Sequence, residues 1–148
     1  MLTKGQFIPV IGLLATIAAA GYMVTRVGAQ NAAAPVDLRQ AATAELRDAQ
    51  DRVVLAGAFM VNDEDDDDIE RKAALKANGT PADAAGVAEV EFARQAPVEQ
   101  EVEFAGTRLT AGTTYRLMID GREVLSGVAG RDGDLELEAK VPIPGARP

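Results

Sequence analysis

Asn62 to Asp68 reads NDEDDDD, and Glu70 follows two residues later. Asp63, Asp65, Asp67, Asp68 and Glu70 thus crowd hard carboxylate oxygens into one short stretch, the donor type that calcium takes. Asp63, Asp65 and Asp67 imitate the first three ligands of an EF-hand loop. Asp68 then occupies the position that needs glycine, and Ala74 the position that needs a bidentate Glu, so an EF-hand is rejected. A looser calcium site on the acidic 63–70 loop is the alternative reading. The preferred one is a solvated hairpin tip whose charges repel one another and oppose aggregation.

Other chemistry is thin. The chain has no Cys, no His and no Trp. Without His it lacks the commonest general base and the commonest transition-metal ligand, and without Cys it has no disulfide framework or thiolate nucleophile. Ser126 is the sole serine and has no imidazole to activate it. A pair of carboxylates could support a hydrolase, but nothing in the spacing selects two among so many. Gly127, Gly130 and Gly133 recur every third residue, yet no helix follows them, so they read as a turn between strands. The expectation is a protein without a catalytic site and without an obligatory cofactor.

The chain has 148 residues, with 15 basic and 23 acidic ones. Lys4 and Arg26 flank an N-terminal apolar segment, leaving 13 basic residues against all 23 acidic ones, a net −10 on the body. Such a surface repels phosphate backbones and disfavours nucleic acid; a cationic protein partner or divalent cations suit it better.

The apolar segment runs from Phe7 to Val24 without a charge. It has the length of a short membrane span, with Tyr22 at the interfacial aromatic position and Arg26 at the headgroups. The competing reading is a signal peptide cleaved near Ala29. Either places the acidic body on the extracytoplasmic side of a membrane, tethered through residues 7–24 or released. The expected organisation is a hydrophobic segment at 1–29, a linker at 30–40, a β domain at 41–142 and a tail at 143–148.

Alternation then gives the elements that carry these groups. Asp120-Gly121 is a two-residue hairpin turn signal inside TTYRLMIDGREVLSGVA, residues 113–129. Pairing across it sets Ile119 against Arg122, Leu117 against Val124 and Tyr115 against Ser126, with Val124 and Val128 on the apolar face. Residues 36–47 and 52–61 read as a further hairpin, with a helix over 37–50 as runner-up because of its alanines. Residues 69–77 alternate, and 78–86 is a loop. EVEFA occurs twice, at 89–93 and 101–105. Pairing those copies face to face sets Glu91 against Glu101 and Glu89 against Glu103, an unfavourable like-charge ladder. The expectation is therefore that the two strands lie in different sheets. A last strand follows at 135–141. The sum is an antiparallel β-sandwich of about seven to eight strands, preceded by one hydrophobic helix.

Leu109, Gly112, Thr113 and Tyr115 match the tyrosine-corner segment that fibronectin type III and related immunoglobulin-like domains share, and this stretch resembles them. Ala111 stands where that family usually has Pro, and the family's buried Trp is absent. The resemblance implies that Tyr115 buries its ring and bonds its hydroxyl to upstream backbone. The body is also similar to bacterial envelope proteins with a single apolar N-terminus and a small β domain, a similarity that implies no activity; the expected role is that of a structural or interaction module of the envelope.

Overall fold

A computed structural model describes residues 35–62 and 67–146. Its elements are all strands: β1 (Thr43–Asp48), β2 (Val53–Asn62), β3 (Asp68–Ala77), β4 (Ala85–Ala93), β5 (Glu99–Thr107), β6 (Thr114–Ile119), β7 (Arg122–Val128) and β8 (Leu135–Pro142). Every pairing is antiparallel, and the eight form one sheet in the order β7-β6-β1-β2-β3-β4-β5-β8. The expected hydrophobic helix lies outside the described residues. Among the described residues no helix is long and apolar enough to cross a membrane.

The all-β expectation holds, but the division into two stacked sheets does not. β1 to β5 pair in sequence, and no strand leaves for a second sheet. The connections force this sheet to curl. Laid flat, β7 and β8 at its two edges would stand about 33 Å apart, at ~4.8 Å per strand. Residues 129–134 join them and reach at most about 25 Å when fully extended. The sheet therefore rolls into a nearly closed, barrel-like shape. Side chains close the gap between the edges: a Cβ placed on Gly127 of β7 would lie 2.5 Å from Leu137 Cδ2 of β8.

Inside the barrel lie Leu46, Leu55, Phe59, Leu75, Val90, Phe104, Leu117, Ile119, Leu137 and Val141, all buried. The turn at Asp120-Gly121 has positive φ at both residues (48° and 76°), as the hairpin signal requires. Its register matches expectation only next to the turn, where Ile119 pairs Arg122. A bulge then intervenes, so that Leu117 pairs Leu125, Arg116 pairs Ser126 and Tyr115 pairs Gly127. Val124 and Leu125 are both buried, whereas Val128 is 41% exposed, and Ser126 does not pair with Tyr115. A second bulge in β2 has the same effect, with neighbouring Val54 and Leu55 both buried. An extra residue in one strand lets two consecutive side chains turn inward and sharpens the local twist that closure needs.

The tyrosine corner forms. The Tyr115 ring is 2% exposed, and its hydroxyl accepts the Thr110 N–H at 3.1 Å. Residues 37–50 contain no helix; β1 begins at Thr43, and Val36, Leu38 and Ala41 before it are buried.

Candidate functional site

The expectation that β4 and β5 lie in different sheets is overturned: they are direct neighbours, with Glu91 across from Glu101, Val90 across from Val102 and Glu89 across from Glu103. Magnitudes explain the outcome. Val90, Phe92, Val102 and Phe104 are 0–8% exposed, and burying such side chains stabilises by roughly 1.5–3 kcal/mol each. A like-charge pair across strands costs only a fraction of a kcal/mol, up to about 1. A one-residue slip of β4 would separate the glutamates but turn Val90 and Phe92 to solvent and Glu89 and Glu91 inward. Burial wins, and the acids are forced together.

The ladder continues into β3 and β8. Two rows cross the outer face of four strands: Glu70, Glu91, Glu101 and Lys140 in one, and Lys72, Glu89, Glu103 and Glu138 in the other. The Lys72 ammonium sits 3.0 Å from Glu70 and 2.9 Å from Glu89. Burial pulls that ammonium down, but the Glu89 and Glu70 carboxylates outweigh it and hold it above its ordinary range. Lys140 pairs with Glu99 at 3.4 Å instead of with Glu101. The lysine at the far end of the face is thus engaged by Glu99, and among the described residues Glu101, Glu103 and Glu138 have no ion-pair partner. Carboxylate oxygens of Glu101, Glu103 and Glu138 lie within 4.8 Å of one another.

Proton affinities record this crowding. Glu103 is pushed up to about 7, by burial first and then by the charges of Glu138, Glu101, Glu89 and Glu91. Glu91 is also raised, by burial and by Asp68, Glu101, Glu70 and Glu89. Such a surface can hold a proton near neutrality, accept a hard divalent cation on three oxygens, or meet a cationic partner.

The loop candidates fare differently from one another. Asp63 and Asp65 lie outside the described residues. Asp67 extends the β3–β4 ladder by accepting the Arg94 N–H on its backbone carbonyl at 2.9 Å, and Asp68 opens β3 opposite Ala93. Glu70 is drawn into the sheet, where it pairs Lys72 and accepts the Asn62 side-chain amide at 3.2 Å. The carboxylates brought into register are those of the EVEFA copies and of β8. The signal for them was the repeated motif together with Glu136 and Glu138 alternating in the last strand.

A depression of about 100 Å³ lined by Glu91, Glu99, Gln100, Glu101 and Lys140 adjoins the face, smaller than the roughly 300 Å³ at which ligand pockets begin. A wider groove of about 460 Å³ lies by Val61, Ile69, Phe92 and Pro97, with Asp37 the one carboxylate among its described lining residues, beside Arg39, Arg71 and Arg94. Among the described residues, neither sets two carboxylates across a cleft large enough for a glycoside. Ser126 lies opposite Arg116, whose guanidinium is 2.8 Å from Asp51 and 3.7 Å from Glu123.

No protein-family model matches the chain, and neither do any curated protein or solved structure.

Proposed function

We propose that this chain is a non-catalytic interaction module of the cell envelope whose carboxylate face meets a cationic protein partner. The carrying observation is the pair of cross-strand rows on β3, β4, β5 and β8, in which Glu91, Glu101, Glu103 and Glu138 lack an ion-pair partner among the described residues. Placing positive charge against them relieves repulsion that the fold itself imposes. The apolar segment at 7–24 supports an extracytoplasmic site of action, tethered or released near Ala29. The Leu109–Tyr115 corner supports a distant kinship with immunoglobulin-like domains, although their two-sheet layout is not the one seen here. Calorimetric titration of the full chain with an oligolysine peptide tests the reading. Salt-sensitive binding that the triple variant E101Q/E103Q/E138Q loses is expected; equal binding by that variant rejects it.

A calcium-dependent module is the second reading, favoured by the close approach of Glu101, Glu103 and Glu138. Thermal melting with calcium and with chelator separates the two. A calcium shift removed by E101Q/E138Q places the ion on the face, one removed by D65A/D67A places it on the 63–70 loop, and no shift up to millimolar calcium rejects the ion.

A further inference from the structure

The segment before β1 crosses one end of the barrel, the end at which β2 leads into β3 and β4 into β5. It turns at Arg39-Gln40, where the Ala41 N–H reaches the Leu38 carbonyl at 2.9 Å. Gln100 of β5 is 1% exposed and grips it: Oε1 accepts the Leu38 N–H at 3.0 Å, and Nε2 donates to the Val36 carbonyl. Val36, Leu38 and Ala41 are buried and close off the core, while Asp37, Arg39 and Gln40 line the groove of about 460 Å³ at this mouth. That volume falls in the range of small-ligand sites, for which the mouth of a barrel is a common place.

Arg71 breaks the alternation of β3. It stands across from Val61 on β2 and Val90 on β4, and residues directly opposite one another share a face of the sheet. Val90 is wholly buried, so Arg71 projects from the interior face into the mouth. Its Nε and Nη2 donate to the Ala41 carbonyl at 3.1 and 2.8 Å. Among the described residues it pairs with no carboxylate, and Nη1 has no acceptor there. Arg39, by contrast, is forked onto Asp37 at 2.9 and 2.7 Å, and Arg94 is engaged as well. Arg71 thus offers one side of its fork to an incoming carboxylate, with which a guanidinium makes short, charge-assisted bonds.

The rest of the mouth is apolar. Ile69 and Phe92 are paired across β3 and β4, Val61 is 51% exposed, and Val98, next in the chain to the lining residue Pro97, is 42% exposed. A small hydrophilic anion would leave this wall in water, whereas a ligand with an apolar body would cover it. The body carries a net −10, but screening confines distant charges to about 8 Å at physiological ionic strength, so the guanidiniums at hydrogen-bond range set the local preference.

We propose that this mouth binds a carboxylate with an apolar body, its carboxylate on Arg71 and its apolar part against Val61, Ile69 and Phe92. Calorimetry on the full chain in a nonionic detergent, with octanoate as the probe, tests this. The wild type is expected to bind octanoate and to bind 1-octanol and acetate at least about tenfold more weakly. A similar loss of octanoate affinity is expected in Arg71→Gln and in Val61→Asp, which sets a like charge on the exposed rim without emptying the core. Arg131→Gln, which removes an exposed charge from the β7–β8 turn at the opposite end, should bind as the wild type does. No octanoate binding at millimolar concentration, equal binding of 1-octanol, undiminished binding by Val61→Asp, or an equal loss in Arg131→Gln overturns the proposal. Should Arg71→Gln lose its β circular dichroism, Val61→Asp decides alone. An N-acetylated apolar tripeptide with a free C-terminus separates two sources of the same chemistry. Tighter binding than octanoate assigns the mouth to a chain end, weaker binding assigns it to free acids, and equal binding by the tripeptide's C-terminal amide overturns the proposal.

Discussion

Glu103 and Glu138 stand directly opposite each other on β5 and β8, and neither has an ion-pair partner among the described residues. Glu89 faces Glu103 from the other side, on β4. The buried apolar residues of the same strands set this register, so the acidic face is a by-product of core packing that leaves an electrostatic demand on the surface.

The first consequence is a pH dependence of unusual sign. A free Glu side chain titrates near 4.5, and Glu103 is pushed up to about 7. The folded chain therefore binds this proton more tightly than the unfolded chain does. The stabilisation is complete below about pH 4.5 and is lost as pH rises through about 7. At pH 8, E103Q should be more stable than the wild type by about 1–2 kcal/mol, allowing for solvent screening of a partly exposed group. Near pH 4 the difference should vanish. Urea melts at both pH values check this, and a destabilised E103Q at pH 8 contradicts it.

Asp48 runs the other way. It is 4% exposed, and although burial pushes its carboxyl up, bonds from the Arg52 guanidinium and the N–H groups of Arg52 and Gln50 hold it below the usual range. Its contribution is present above the unfolded value, near 3.8, and is lost as pH falls through the lower folded one. Asp48→Ala should cost about 1–3 kcal/mol at pH 7, because it strands two backbone donors in the β1–β2 turn. The gap to wild type should narrow in strong acid.

Two glycines differ in what blocks a side chain. A Cβ on Gly57 would lie 2.3 Å from the Ala74 carbonyl oxygen, part of the neighbouring backbone, whereas on Gly127 it would meet the tip of Leu137. Both Ala substitutions should destabilise, by about 1–3 kcal/mol for Gly127→Ala and by more for Gly57→Ala. The Gly127→Ala/Leu137→Ala double variant should cost less than the sum of the two single ones, and a double-mutant cycle measures that coupling. Equal costs with no coupling would contradict the packing at the β7–β8 edge.

Much of the fold was legible because alternation and turn residues are local signals: Asp120-Gly121 marks its hairpin, and Leu135 to Val141 mark the last strand. Bulges were not, since Val124-Leu125 reads as one residue in and one out until the partner strand is known. The two-sheet expectation failed on a judgement of energies. The register that sets Glu89 against Glu103 was derivable from the EVEFA copies, but the repulsion was weighted above the burial of Val90, Phe92, Val102 and Phe104. The acidic face exists only once β4 and β5 pair, whereas the acidic run at 63–70 is visible in the sequence alone. The grip on residues 36–41 was invisible for a different reason: Gln100 lies more than 60 positions away in the chain and bonds only main-chain atoms.

The central claim is that the carboxylate rows, and not net charge alone, bind a cationic partner. The direct measurement is the affinity of an oligolysine peptide for the full chain in two charge-matched variants. E101Q/E103Q/E138Q neutralises the face, and D83N/E123Q/D132N neutralises three exposed acids elsewhere on the surface. The account predicts that the first variant loses most of the binding while the second stays near wild type. Equal weakening in both would contradict it.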